Sequence, residues 1–123
     1  MSLQSSAELI SVGRWVSGSG LGGAEISAFD AKSKRIFVTN GATNQIDIVN
    51  IKDPKKPVLF GRINLAKKGV TGIQSVATKD GLVAIAAQVS TDKAAPGKIF
   101  LADVNGKLSS AAPNGIVVGS LPD

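Results

Sequence analysis

The sequence predicts an all-β fold of short antiparallel strands, and three observations predict it. The first is Arg35-Ile-Phe-Val-Thr-Asn-Gly-Ala-Thr-Asn-Gln-Ile-Asp-Ile-Val-Asn-Ile51, in which two β-type runs flank a polar connection. Asn40-Gly41-Ala42-Thr43-Asn44 supplies residues that tolerate positive φ and hydrogen-bond their own backbone, so the stretch reads as a hairpin. The second is that further β-type runs lie on both flanks, as an otherwise marginal hairpin requires. The third is that the whole series then starts again.

Taken in order, Glu8-Leu-Ile-Ser-Val-Gly-Arg-Trp-Val16 reads as a first, outer-type strand, and Ser17-Gly-Ser-Gly-Leu-Gly-Gly23 as an exposed loop. Ala24 to Phe29 is a second strand, and Asp30 to Lys34 a polar turn into the hairpin. Asp53-Pro-Lys-Lys-Pro57 interrupts the pattern because proline fixes φ and removes a donor, and Val58 to Leu65 resumes it. After Ala66-Lys-Lys-Gly-Val-Thr-Gly72 the series restarts with Ile73 to Thr78, a turn at Lys79-Asp-Gly81, Leu82 to Val89, the loop Ser90 to Lys98, and Ile99 to Val104. Asn105-Gly106 and Asn114-Gly115 mark further turns before Gly115-Ile-Val-Val-Gly-Ser-Leu121.

Laid over itself, the series repeats. Val12-Gly13-Arg14 matches Phe60-Gly61-Arg62 and Val118-Gly119-Ser120, at offsets of about 48 and about 58 residues, in or just beyond the range of four-stranded repeats. Ser27-Ala28 is set against Ser75-Val76, Ile36-Phe37-Val38 against Leu82-Val83-Ala84, and Ile46-Asp-Ile-Val-Asn50 against Ile99-Phe-Leu-Ala-Asp103. Units of four short antiparallel strands are the blades of a β-propeller, and a β-sandwich is the alternative. The expected organisation is therefore residues 1–7 as a disordered N-terminus or expression scar and 8–123 as a partial propeller: outer strand 8–16, first blade 24–65, second blade 73–121. A ring needs about 4 to 8 blades, so two leave it incomplete, as in a fragment or an associating subunit. Leu121-Pro122-Asp123 reads as the approach to another inner strand.

Composition narrows the function. The 123 residues are 43% hydrophobic and 19% charged, the balance of a globular domain. The longest apolar run, Leu82 to Ala87, falls far short of the roughly 20 residues that cross a bilayer. Formal charge is +5, but the lysines fall in short groups at expected turns, and the aromatic residues Trp15, Phe29, Phe37, Phe60 and Phe100 are not interleaved with them. This is the pattern of solvated turns, and no nucleic-acid partner is expected. Gly18, Gly20 and Gly23 match G-x-G-x-x-G, yet the motif binds dinucleotides only when a helix follows, and here a strand is expected. Gly97-Lys98 lacks the remainder of a P-loop.

Histidine, cysteine and tyrosine are absent, so a Ser-His-Asp or Cys-His system cannot be built from this chain alone. Catalytic residues are left unassigned, and neither a cofactor-binding set nor a metal-ligand set is assigned. Calcium is the metal that Asp30, Asp47, Asp53, Asp80, Asp92 and Asp103, with Asn40 and Asn44, would suit, but they show no ordered spacing and stand where turns need them. Glu25 and Asp47 are a candidate pair inside a channel.

Gly23-Ala-Glu-Ile-Ser-Ala-Phe-Asp30, the Arg35 to Ile51 hairpin, Gln74-Ser-Val-Ala77 and Ala95-Pro-Gly-Lys98 resemble the opening of the choice-of-anchor I domain family. This is a family of cell-surface propeller proteins related to the mesenchyme-specific cell-surface glycoprotein, some of whose bacterial members carry an alkaline-phosphatase-like label. The resemblance implies an extracytoplasmic (periplasmic, secreted or cell-surface) module that is non-catalytic and serves binding or assembly. Its partner would be a protein or surface ligand, or another copy through open blade edges. The alternative it implies is part of a metal-dependent alkaline-phosphatase-like phosphoesterase.

Overall fold

The computed structural model describes residues 8–92 and 94–120. Among these described residues eight strands follow one another: β1 (Ser27–Asp30), β2 (Arg35–Asn40), β3 (Gln45–Asn50), β4 (Val58–Asn64), β5 (Gly72–Lys79), β6 (Leu82–Gln88), β7 (Pro96–Asp103) and β8 (Ile116–Ser120). They form two four-stranded sheets in the orders β1-β2-β3-β4 and β5-β6-β7-β8, and every ladder is antiparallel. The fold is all-β; among the described residues the helical element is a 3-10 turn at Ala66–Lys68.

The connections form where local chemistry directs them. Asn40 Oδ1 accepts the N–H groups of Ala42 and Thr43 at 3.2 and 3.3 Å, and Asn44 takes φ 54°, which closes the β2–β3 hairpin. Asp30 Oδ2 accepts the Ser33 N–H at 2.9 Å in the turn before β2, where Lys34 takes φ 58°. Asp80 and Gly81 both have positive φ, 51° and 82°, the two-residue hairpin turn that matches strand twist.

Side-chain alternation then builds the core. Phe37, Ile46, Ile48 and Ile63 point from the first sheet toward Ile73, Val76, Val83, Ile85, Phe100 and Ala102 of the second, with Leu65 and Val70 closing the connection between them. Polar ties cross the same interface. Thr78 Oγ1 donates to the Phe29 carbonyl at 2.9 Å. Arg35 Nη1 donates to the Val104 carbonyl at 2.6 Å and to Asn105 Oδ1 at 2.8 Å, while its guanidinium lies 3.8 Å over the Phe60 ring. The β7–β8 turn sits so close to the first sheet that a Cβ at Gly106 would lie 2.9 Å from Ile48 Cδ1.

The structure departs from the sequence expectation in three places. Residues 8–16, expected as an outer strand, form no ladder with either sheet; Val12, Gly13 and Trp15 lie against the outward face of the first. Ala24 to Ile26 precede β1, although Glu25 N–H donates to Thr39 O and Thr39 N–H to Ile26 O, so β1–β2 bonding reaches two residues further. The correspondence between sheets is shifted by one residue for β1 and β2, while that of Ile46–Asn50 with Ile99–Asp103 holds as expected. Arg35 pairs with Asn50 and Leu82 with Asp103, each directly after a positive-φ turn residue, so Ile36 corresponds to Val83 and Phe37 to Ala84. Ser27 likewise corresponds to Val76 through Val38 and Ile85. Gly119 is not the counterpart of Gly61: Ile63 pairs with Ile46 and Ile116 with Ile99, which leaves Gly119 beyond that position. The expectations for 1–7 and for Leu121 to Asp123 lie outside the described residues.

Candidate functional site

The most distinctive chemistry lies on the outward face of the first sheet. Alternation along β3 sends Ile46 and Ile48 into the core and Asp47 and Val49 to the other side, yet all of these residues are buried. Asp47 is covered from three directions. Across the β3–β4 ladder it faces Arg62, whose Nε donates to Asp47 Oδ1 at 2.9 Å. Across one hairpin, Asn40 Nδ2 donates to Asp47 Oδ2 at 3.1 Å and also to Ser19 Oγ at 2.8 Å. The loop 17–23 closes over the top, with Gly18, Gly20 and Gly22 at positive φ and the Gly22 carbonyl accepting the Ala42 N–H at 3.1 Å.

This arrangement satisfies a buried carboxylate with a guanidinium and an amide. Arg62 remains 42% exposed, so one end of the network is wet while Asp47 is dry. Its geometry is that of a lock between loop 17–23, the β2–β3 hairpin and β4. Beside it an apolar cavity of about 270 Å³ separates Val12 and Trp15 from Ile36, Val38, Val49 and Pro57.

The other candidate residues are distributed among separate turns. Asp53 Oδ1 accepts the Lys55 N–H, Asp92 Oδ1 the Ala94 N–H, and Asp103 Oδ1 the N–H groups of Asn105 and Lys107. Asp80 and Asn44 supply positive φ in their turns. Among the described residues no group of three His, Cys, Asp or Glu side chains gathers in a metal-ligating cluster. Asp30 has its carboxyl held below the usual carboxylate range, first by the Ser33 hydroxyl at 2.5 Å and then by the Ser33 and Gly81 N–H groups and the Lys32 charge, against a partial opposing effect of burial.

Glu25 is exposed beside Gly41, and the hydrogen bonds of Asp47 go to Arg62 and Asn40 rather than to a paired carboxylate. The glycines of the G-x-G-x-x-G stretch shape loop 17–23, which runs on toward strand β1. Sequence reasoning missed Arg62 and Ser19 as partners of this site. The signal for Arg62 was its place beside Gly61 in the repeated Val/Phe-Gly-Arg triplet; that it faces Asp47 follows only from the ladder register.

No curated protein and no solved structure matches the chain. A family model does match residues 25–123, a span that takes in all eight strands, and on that match the chain belongs to the choice-of-anchor I domain family.

Proposed function

We propose that the chain is a non-catalytic β-propeller repeat module of an extracytoplasmic surface protein, and that its two sheets are successive blades of a ring that serves binding or assembly. The observation that carries this reading is how the sheets stack. With Ile36 matched to Val83, the counterparts of Phe100 and Ala102 are Asp47 and Val49. The face of the second sheet that enters the core is therefore the counterpart of the outward face of the first. The sheets are stacked front to back. A two-fold sandwich would bring like faces together, whereas front-to-back stacking is the relation between neighbouring blades and propagates to further ones.

The substitution pattern supports the same reading. Where the first sheet has Asp47 against Arg62, the second has Phe100 over Gly115, at which a Cβ would come within 3.2 Å of the ring. An ion pair facing a loop in one blade is replaced by an aromatic ring facing a sheet in the other. Membership of the choice-of-anchor I family suggests a cell-surface, non-catalytic domain. The purified chain should leave p-nitrophenyl phosphate and bis(p-nitrophenyl) phosphate uncleaved above the buffer rate, with Mg²⁺, Zn²⁺ or Ca²⁺ added. Saturable hydrolysis that purifies with the chain would sink the non-catalytic reading and favour the phosphoesterase.

A further inference from the structure

We propose that the apolar cavity between residues 12–15 and the outward face of the first sheet is a binding site for a single-chain amphiphile with an anionic head, a carboxylate of the fatty-acid class. The site is built by the first sheet, its β3–β4 connection and the segment before it. It is therefore independent of how the two sheets stack.

The walls of this cavity keep it open. Its floor is Ile36 and Val38 of β2 with Val49 and Ile51 at the end of β3 and just beyond it, and Pro54 and Pro57 stand at one side. β-Branched side chains are stiff at χ1 and proline rings fix their backbone, so neither surface turns inward to fill the space. The roof is pinned at both ends. Gly13 lies so close to Pro54 that a Cβ there would be 1.8 Å from the Pro54 carbonyl oxygen. At the other end Asn40 Nδ2 donates to Ser19 Oγ at 2.8 Å, and the Gly22 carbonyl accepts the Ala42 N–H at 3.1 Å. Between these pins Trp15 lines a void of about 270 Å³.

The lining and its surroundings set the chemistry of the occupant. Apart from the indole N–H of Trp15, no lining side chain carries a hydrogen-bonding group, so the part of a ligand that enters must be apolar. A void of about 150 Å³ walled by aliphatic side chains holds benzene, and this larger one suits an apolar body of roughly ten carbons. Charge around it has one predominant sign. Arg14, Lys52, Lys55 and Lys56 each adjoin a lining residue in sequence, and all are exposed. Among the described residues none of them takes part in an ion pair. Asp53, the carboxylate of the same turn, has its Oδ1 on the Lys55 N–H. An apolar hole among free cations complements a tail that ends in an anion.

Trp15 is the chain's single tryptophan and tyrosine is absent, so tryptophan emission reports on this cavity alone. Octanoate, held below its micellar concentration, should change that emission saturably and raise the melting temperature. Octanol and octylammonium carry the same tail without the anion. A cavity that recognised the tail alone would prefer octanol, because an ionised head resists leaving water. Here octanoate should bind at least as tightly as octanol at low salt, lose that advantage at high salt, and exceed octylammonium several-fold. Val38→Phe, which fills the void, should abolish the response while keeping the circular dichroism melt. The double variant Lys55→Glu with Lys56→Glu changes only exposed turn positions; it should weaken octanoate several-fold and leave octanol unchanged. A response that never saturates, octanol binding tighter at both salt concentrations, or octanoate binding that survives both sets of substitutions would overturn the proposal.

Discussion

Asp47 is fully buried, and Arg62 and Asn40 meet its two carboxylate oxygens separately. Removing Arg62 leaves a dry carboxylate without its counter-charge, whereas removing Asp47 leaves a guanidinium that water already reaches and an Asn40 that keeps Ser19, Ala42 and Thr43. Arg62→Ala should lower stability by about 3 kcal/mol because it strands a buried carboxylate, and Asp47→Ala by about 1 kcal/mol because the guanidinium it leaves is open to water. Urea unfolding of both variants measures the difference. Asp30 gives a pH prediction. Its folded carboxyl sits below the ordinary value, so the unfolded state takes up protons first as acid is added. The stabilisation is complete above the unfolded value of about 3.9 and is lost as pH falls through the folded one. Asp30→Asn removes that component, and its stability should fall less steeply than the native chain's over the acid range; equal slopes in parallel urea titrations would show that Asp30 carries no such linkage. Both residues were visible in the sequence as strand and turn positions. The partners of Asp47 were not, because opposition across a ladder depends on register, which no single strand encodes.

At the scale of elements, turn residues and β-branched runs are local signals, and that is why most strands could be read from the sequence. The same signals misled at 8–16. Leu9, Ile10, Val12 and Val16 have strand composition, but a strand exists only against a hydrogen-bonding neighbour, and here the segment meets a sheet face. Register was the other casualty. The connection before β2 spans residues 31–34 and the one before β6 only Asp80-Gly81, so matching apolar triplets slipped by one and exchanged the faces. Two glycines show how far a turn can be bound to its surroundings. Gly81 and Gly106 both have positive φ, but a Cβ at Gly81 meets open space whereas one at Gly106 meets Ile48. Gly81→Ala should therefore cost about 1 kcal/mol from backbone strain, and Gly106→Ala about 2–3 kcal/mol with the clash added, as thermal melts of the two can compare.

At the scale of the whole molecule, Arg35 joins the two sheets through Nη1, which donates to the Val104 carbonyl and Asn105 Oδ1, while its guanidinium rests on the Phe60 ring of its own sheet. Its counterpart Leu82 makes no such tie, so the pseudo-equivalence of the sheets is broken where one must hold the other. Arg35→Ala should lower stability by about 2 kcal/mol, and Arg35→Lys should recover little, since an ammonium cannot reproduce the two hydrogen bonds and the planar stacking together. A lysine variant as stable as the native chain in urea would mean that charge alone suffices. The front-to-back relation lay hidden in the sequence because it depends on which face each residue occupies, a property of the assembled ladders.

The simple strand order carries a last consequence, for how the chain is made. Every ladder joins strands adjacent in sequence, so β1 to β4 need nothing from the second half in order to pair. As the polypeptide leaves the ribosome, the first sheet can form while the second is still being translated. Until β5 to β8 emerge, Phe37, Ile46, Ile48 and Ile63 face water as a bare apolar surface. The nascent half is at its most adhesive once Asn64 has emerged and before β5 to β8 cover that face.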